Sequence, residues 1–321
     1  MFRTIHVPVD NSDQSNASID LALAIGKAFR SKLVGSHVYA AKLHDVRFKQ
    51  MEFTLPDEYK DGAELEKQRK IHDSLITRGL HLISDSYMDE MATWSEEAGL
   101  DFERKHFDGK NFIAIVDDIN DSDYDLVILG ALGQGAVKES QVGSVCERVL
   151  RRTRANVLVV RDTQSPDPKG FGDLIVALDG SKASYLSLDI ACTLARALKK
   201  NIQVVAVHDP KLEEKSLMEG HLQLASRLAK QRHDADVTTL LLEGEALASL
   251  LAHAEAAKPW MLLAGRSGID TADREPELGV TAERLVRHST WNVLLAGQVP
   301  LAPAQDLAPT DAIKKAIANA L

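Results

Sequence analysis

Short β-branched apolar runs alternate with amphipathic helical stretches along the chain. The first half opens with the run TIHVPV and continues with KLVGSHVY, and the spacing between them predicts a helix over residues 16–30. The strand patterns LDFERKHF, DLVILG and NVLVV follow, with helices predicted over residues 111–120 and from Gly143. This alternation is typical of a parallel sheet covered by helices on both faces.

A longer helical stretch lies between the second and third strand patterns of this half. Apolar side chains recur there at three- and four-residue spacing, at Ile76, Leu80, Ile83, Tyr87, Met91, Trp94 and Ala98. Such a stripe predicts a helix whose apolar face packs against the core.

The second half repeats the pattern of the first. The segment VPVDNSDQSNASIDLALAIGKAFRSKLVGSHVY (residues 7–39) aligns without a gap on VALDGSKASYLSLDIACTLARALKKNIQVVAVH (176–208). GSVCERVLRRTRANVLVV (143–160) likewise aligns on GVTAERLVRHSTWNVLLA (279–296). Self-similarity at both ends indicates duplication of a whole domain. We therefore predict an α/β fold of two tandem doubly wound domains, each a five-stranded parallel sheet with four helices.

The domain boundaries follow from the repeat and from the composition between its copies. The junction RDTQSPDPKGFGD carries prolines and glycines and is predicted to be a linker. We expect the first domain over residues 1–162 and the second over 171–299. Residues 300–321 are expected to form a C-terminal linker and a short helix.

Composition and charge narrow the classes of protein that fit. The 321 residues carry 38 Lys+Arg against 47 Asp+Glu, a formal net charge of −9. This acidic balance argues against a broad nucleic-acid or anionic-membrane surface. The apolar runs are too short for a membrane span, and the opening residues MFRTIHVPVD lead into a strand pattern instead of a signal peptide. With only Cys146 and Cys192, no disulfide framework is expected, and we predict a cytoplasmic protein.

The glycine-rich stretch LVILGALGQGAVKESQVGSVCERVL follows the fourth strand pattern of the first half. Gly130 and Gly135 have the spacing of a P-loop, but Ala136 and Val137 stand where that motif requires lysine and a hydroxyl. A dinucleotide fingerprint fails as well, because Lys138 stands where the third glycine is required. Both phosphate-binding motifs are therefore rejected.

Another spacing does fit this stretch: Gly130, two residues, Gly133, nine residues, then Gly143 and Ser144. It resembles the nucleotide-binding motif of the universal stress protein family. The early VPVDNSDQS and the strand end SHVY resemble that family too. The resemblance covers both halves, to about Val299, and describes a tandem protein with a Rossmann-like fold of the adenine nucleotide alpha hydrolase-like class.

The resemblance implies that adenine nucleotide, ATP with or without Mg²⁺, binds in the first half. It places Asp10 near the adenosine and the backbone at Val38 near the base. The phosphate end is implied at the glycine stretch, at Gly130, Gly133, Gly143, Ser144 and Val145.

Physical chemistry agrees with phosphate at this stretch. Glycine at 130 and 133 permits close backbone approach and is expected to take positive φ. Gly143 and Ser144 are expected to begin a helix, whose free amides and dipole attract phosphate oxygens. The Ser144 hydroxyl either donates to the ligand or caps the helix. Asp10 has a local alternative as a turn and capping residue.

The second half departs from the motif. Gly265 and Gly268 keep the first spacing, but ten residues instead of nine precede Gly279, and Val280 replaces the hydroxyl residue. The intervening residues IDTADREPEL carry four acidic side chains, which would repel a triphosphate. We therefore expect one nucleotide per chain, bound by the first half.

Other chemistries find less support in the sequence. No Gly-x-Ser-x-Gly elbow occurs, and the histidines have no tight metal spacing. We predict no catalytic residue and no metal ligand. Three alternatives stay open: a scaffold with vestigial sites, a small-molecule or metal-binding protein with a cation at His208-Asp209, and a slow ATPase.

The family resemblance also implies an assembly. The two halves are expected to pair about a pseudo-twofold axis through their last strands, NVLVV and NVLLA, which would cover exposed sheet edges. It further implies that two chains can form a homodimer.

Overall fold

A computed structural model describes most of the chain. It covers residues 2–56, 58, 60–135, 140–163, 172–211, 215–268 and 278–297, without the side chains of 42–45. Four features discussed above lie outside the described residues: residues 136–138 of the glycine-rich stretch, most of the linker, the acidic residues between Gly268 and Gly279, and the C-terminal segment.

Within its described residues, the first half contains five strands and five helices. Its strands are β1 (Thr4–Pro8), β2 (Lys32–Tyr39), β3 (Phe102–Asp108), β4 (Leu126–Gly130) and β5 (Val157–Val160). Its helices are α1 (Asp13–Phe29), α2 (Ala41–Glu52), α3 (Gly62–Glu97), α4 (Asn111–Asp121) and α5 (Ser144–Arg152). The sequence predicted four of these helices and missed α2, which begins after Ala40 without a side-chain cap.

The described part of the second half contains five strands and four helices, as predicted. Its strands are β6 (Leu174–Ala177), β7 (Ile202–His208), β8 (Thr238–Glu243), β9 (Met261–Gly265) and β10 (Val293–Ala296). Its helices are α6 (Lys182–Leu198), α7 (Lys215–His233), α8 (Ala246–Ala257) and α9 (Val280–His288). None of the helices in the described ranges is long and apolar enough to cross a membrane.

All ten strands form one sheet in the order β3-β2-β1-β4-β5-β10-β9-β6-β7-β8. Every pair within a half is parallel, whereas β5 and β10 pair antiparallel with Leu158 opposite Leu294. The predicted doubly wound fold is confirmed, and the predicted pairing of the two last strands is present. Strand order reverses between β1 and β4, and between β6 and β9, which opens a cleft at the carboxyl ends of those strands.

The first helices of the two halves begin and end in the same way. Ser12 caps α1 by accepting a hydrogen bond from the Ser15 amide, and Ser181 caps α6 by accepting one from the Ser184 amide. Both helices end at a residue in the left-handed region, Arg30 and its counterpart Lys199. The duplication detected in the sequence is therefore preserved in local backbone geometry.

The predicted apolar stripe on α3 is only partly correct. Met91 is buried, but Ile83 is 46% exposed. The buried line on this helix runs through Ser84, Met88, Met91 and Ser95. The two serines can be buried because each hydroxyl donates to the carbonyl four residues earlier in its own helix. Because two of the four buried residues are serines, the spacing of apolar residues alone did not identify the core-facing side of α3.

Candidate functional site

A cavity of about 400 Å³ lies at the carboxyl ends of β1, β2 and β4, between α4 and the start of α5. All seven residues proposed for nucleotide binding line it: Asp10, Val38, Gly130, Gly133, Gly143, Ser144 and Val145. They come from four separate segments of the chain, which the strand-order reversal brings together. Its volume is within the range of small-molecule binding sites, about 300–1,000 Å³.

The glycines at 130 and 133 are required by contacts within the protein. A β-carbon on Gly130 would lie 2.9 Å from Cβ of Gln14, and one on Gly133 would overlap Oδ2 of Asp10. The expectation of positive φ at these positions is wrong, since neither belongs to the glycines that take that conformation. Close approach of neighbouring chain atoms, and not backbone handedness, explains why both are glycine.

The start of α5 closes the cavity on one side. The Gly143 amide donates to the Ala131 carbonyl at 2.7 Å, so the helix start is tied to the residue after β4. Gly143 is the N-cap and makes no side-chain bond, while Ser144 is the first helical residue. Ser144 therefore does not cap the helix. Its hydroxyl is exposed and forms no hydrogen bond with the described residues, so it is available to a ligand.

Asp10 holds two loops together. Its Oδ1 accepts from the amide and hydroxyl of Ser12, at 3.1 and 2.7 Å, and its Oδ2 accepts from the Gln134 amide at 3.0 Å. The turn role considered for Asp10 is therefore present, whereas the cap of α1 is Ser12. The same carboxylate also fixes the glycine loop beside the cavity. Gly135, by contrast, has no atom within 4 Å of an added β-carbon and needs no glycine for packing.

The β2 side of the cavity is fixed by strand-end contacts. Val38 is buried there, two residues beyond Ser36, which also lines the cavity. Nδ1 of His37 lies 2.7 Å from the Val9 carbonyl oxygen. A carbonyl can only accept, so Nδ1 carries the proton and the strand ends of β1 and β2 are joined through this ring.

A buried polar cluster lies behind this wall. His6 is fully buried, with Nε2 at 2.8 Å from Oγ of Ser36. Asp118 accepts from Lys105 at 2.6 Å and from the hydroxyl of Tyr124 at 2.7 Å. Burial lowers the pKa of His6 to about 4, against the opposing attraction of Asp118, and Lys105 lowers it further. The His6 ring is therefore neutral at physiological pH.

Cys146 lies in the first turn of α5 and lines the cavity. Its side chain is buried, and burial raises the pKa of its thiol to about 12 despite the nearby charge of Arg161. A protonated, buried thiol is a poor nucleophile. Its burial is that of a packing residue.

Sequence reasoning missed two residues that support the glycine loop. Oε1 of Gln14 accepts from the Leu132 amide at 2.6 Å, and its Nε2 donates to the Arg161 carbonyl at 3.4 Å. The guanidinium of Arg161 donates to the Gln141 carbonyl at 2.6 Å. The aligned halves held a clue, because the second half has Ala183 and Gly297 at these two positions.

The second half keeps the equivalent glycines, but the residues beside them differ from those of the first half. An added β-carbon on Gly268 would lie 3.2 Å from Oδ2 of Asp179, and one on Gly279 would lie 3.2 Å from the Arg266 carbonyl. Arg266 stands where the first half has Ala131, and its side chain is buried. The first residue of α9 is Val280, which lacks the hydroxyl of Ser144.

The histidines considered as ligands are distributed over separate contacts. His221 packs against Gly180 and contacts the hydroxyl of Tyr185 at 2.8 Å, and His253 contacts Gln203. The side chain of His44 lies outside the described residues. Within the described ranges, no group of three or more His, Cys, Asp or Glu side chains is arranged to hold a metal ion.

Comparison with known proteins matches this arrangement to one family. The sequence model of the universal stress protein family matches residues 1–161 and 170–297. A universal stress protein of Mycobacterium tuberculosis is 32% identical over 117 residues, which cover 33% of this chain and 39% of that protein. The match thus spans well under two thirds of the relative's length.

Solved structures show the same fold over nearly the whole chain. A universal stress protein from Archaeoglobus fulgidus superposes with a TM-score of 0.68 at 17% identity, covering 93% of this chain and 100% of that one. A protein of unknown function from Pseudomonas aeruginosa has a TM-score of 0.61 at 15% identity, covering 100% and 97%. With the family matched in both halves, the chain belongs to the universal stress protein family and carries two of its domains in tandem.

Proposed function

We propose that this chain binds an adenine nucleotide, ATP, in the cavity of its first half. The observation that carries the proposal is the convergence of the seven sequence-predicted residues on one cavity of about 400 Å³. The ligand would lie with its base beside Val38 and its phosphates at the start of α5. There, unpaired helix amides and the exposed Ser144 hydroxyl offer donors to phosphate oxygens.

The cavity supplies little for metal-assisted chemistry. Among the described residues that line it, Asp10 is the only acid, and both of its carboxylate oxygens already accept hydrogen bonds. Mg²⁺ would therefore enter with the phosphates and keep several waters, as it commonly does at nucleotides. Nucleotide would act as a conformational or assembly signal, and this chemistry favours binding over efficient hydrolysis.

The biological setting belongs to the same proposal. The protein would act in the cellular stress response, in the cytoplasm, with ATP occupancy altering the contact surface that the chain presents. Assembly of two chains into a homodimer would be measured by sedimentation with and without ATP. Equal sedimentation coefficients in both states would remove the assembly role and leave the binding site untouched.

Two matched variants test the binding site. Gly143→Val and Gly279→Val each place a side chain against a carbonyl at 3.2–3.3 Å in equivalent loops, so their cost to folding is comparable. The wild type and Gly279→Val are expected to release adenine nucleotide when the purified protein is denatured, and Gly143→Val is expected to release none. Nucleotide retained by Gly143→Val would refute the site, and a wild type that neither carries nor binds adenine nucleotide would favour the scaffold alternative.

A further inference from the structure

The loop that would hold the phosphates is supported on both flanks by two side chains. On one flank, Gln14 accepts from the Leu132 amide at 2.6 Å. On the other flank, Arg161 donates to the Gln141 carbonyl at 2.6 Å, two residues before Gly143. The two supports are joined to each other, because the Gln14 side chain also donates to the Arg161 carbonyl at 3.4 Å.

The second half of the chain holds this pair of supports in place. The same Nη2 of Arg161 that reaches Gln141 also donates to the Arg287 carbonyl, in the last turn of α9, at 3.0 Å. Oδ1 of Asn292 accepts from the backbone amides of Arg161 and Asp162, at 2.9 and 3.1 Å. Asn292 is 1% exposed, so water does not compete for these bonds.

Burial makes the position of the Arg161 guanidinium depend on these carbonyls. Desolvation lowers the pKa of Arg161, and its Nε has no hydrogen-bond partner among the described residues. The guanidinium is half-buried, so an acceptor that it loses on its buried side, at the Arg287 carbonyl, is replaced by water only in part. The Gln141 and Arg287 carbonyls thus share one donor group, and a shift of either segment disturbs the other.

The two side chains that support the first glycine loop have no counterparts at the aligned positions of the second half. Ala183 stands in place of Gln14, and Gly297 in place of Arg161. A β-carbon at Gly297 would overlap the Arg154 carbonyl, so no side chain can enter there. Arg266 is buried near the second loop, but none of its three guanidinium nitrogens has a hydrogen-bond partner among the described residues. Among the described residues, the side-chain supports therefore occur in the first half alone, whereas the asparagine contact is reciprocal, since Oδ1 of Asn156 accepts from the Gly297 amide at 2.8 Å.

We propose that Gln14 and Arg161 are positioning residues through which the second domain holds the nucleotide loop of the first. This rests on the proposed function of the first-half cavity. The second domain, whose own nucleotide motif is altered, then has a role in the first site. Its helix α9 and Asn292 keep the nucleotide loop of the first domain in its binding geometry. Since coupling between sites is reciprocal, ATP binding must in turn stabilise the last turn of α9 and the start of β10.

Substitution by the residues of the second half tests the proposal. Arg161→Gly and Gln14→Ala are expected to weaken ATP binding in calorimetric titration by at least about fivefold, the lower end of typical coupling between sites. Arg151→Ala is the matched control, because it removes an ion pair between the halves, to Glu283, without touching the loop. This control is expected to bind ATP as the wild type does.

Amide hydrogen exchange distinguishes a positioning role of Arg161 from a merely structural one. In the wild type and in Arg151→Ala, ATP is expected to slow exchange over residues 285–293, which do not line the cavity. In Arg161→Gly this distant protection should vanish. Arg161→Lys keeps the charge, but its side chain is one atom shorter and its ammonium cannot take the place of Nη2 between both carbonyls, so it should lose most of the protection while the fold is kept.

The possible results distinguish a failure of this inference from a failure of the proposed function. A wild type that binds no ATP contradicts the proposed function. A wild type that binds ATP, together with Arg161→Gly, Arg161→Lys and Gln14→Ala variants of unchanged affinity, overturns the inference alone. Equal weakening in Arg151→Ala would show that any loosened domain contact suffices, and it would overturn the specific role of Arg161. If Arg161→Gly does not fold, Arg161→Lys and Gln14→Ala decide.

Discussion

At the scale of single residues, the glycines of the first half record contacts within the protein as much as contacts with a ligand. Gly130 faces Gln14, Gly133 faces the Asp10 carboxylate, and Gly143 faces the Ala131 carbonyl. The spacing in the sequence identified the positions correctly as lining one cavity. It could not show the reason for each glycine, because the atoms that exclude a β-carbon lie far away in sequence.

Gly133 and its counterpart Gly268 give a matched test of this explanation. Alanine at 133 would overlap Oδ2 of Asp10, whereas alanine at 268 would stay 3.2 Å from Oδ2 of Asp179. Gly133→Ala should therefore lower the free energy of unfolding by about 1–3 kcal/mol, as overpacking does, and weaken ATP binding. Gly268→Ala should do less in urea denaturation and leave ATP affinity unchanged. Equal effects of the two substitutions would contradict the role of the Asp10 contact.

His6 makes stability depend on pH. Its pKa is about 4 in the folded chain against 6.5 for the free group, so between these values only the unfolded chain takes up the proton. Stability that is full above pH 6.5 is then lost as pH falls toward 4, by about 2 kcal/mol between pH 7 and pH 5. Urea unfolding of His6→Gln should show a smaller loss over this interval, and the exposed-site control His288→Gln should not. A His6→Gln variant with the wild-type loss would count against a buried neutral ring.

At the scale of elements, α5 and α9 face each other across the pseudo-twofold axis with a reciprocal set of charges. Arg151 pairs with Glu283 at 2.7 Å, and Arg287 pairs with Glu147 at 2.9 Å. Each arginine also lies within salt-bridge distance of the glutamate one turn earlier in its own helix. The aligned segments GSVCER and GVTAER predicted equivalent helices, but only the antiparallel pairing of β5 and β10 brings their charges together.

This charge network should contribute modestly to the contact between the halves. The side chains are partly exposed, so each pair is worth roughly 0.2–1 kcal/mol and is screened by salt. A double-mutant cycle of Arg151→Ala and Glu283→Ala, followed by urea denaturation, should give a coupling energy in that range at low ionic strength. The coupling should fall in 1 M NaCl. A coupling that salt does not reduce would place the pair in a buried environment.

Helix prediction succeeded for the capped helices α1 and α6 and for the uncapped helices α4 and α5, and it failed for α2. The starts of α1 and α6 follow Ser12 and Ser181, whose hydroxyls accept from backbone amides. In α2 no cap was available, and the element was missed. In α3 the buried line includes two serines that satisfy themselves within the helix. These cases share one cause: tertiary packing outweighs a local preference.

At the scale of the whole molecule, a duplicated domain has become one sheet, in which the ten described strands pair across both halves. The duplication, the parallel order and the location of the first cleft could all be predicted from the sequence, because repeat and strand periodicity are local signals. The supports of the loop could not, since Gln14 and Leu132 are 118 residues apart and Arg161 and Arg287 are 126 apart. Only the folded chain shows that the second half contacts the first site.

The central claim is one nucleotide site per chain, in the first half. The most direct measurement is a calorimetric titration of the wild-type protein, freed of bound nucleotide, with ATP. The account predicts a stoichiometry of one ATP per chain, because the second half lacks the Ser144 hydroxyl and the loop supports. Two equivalent sites per chain, or no binding at all, would contradict it.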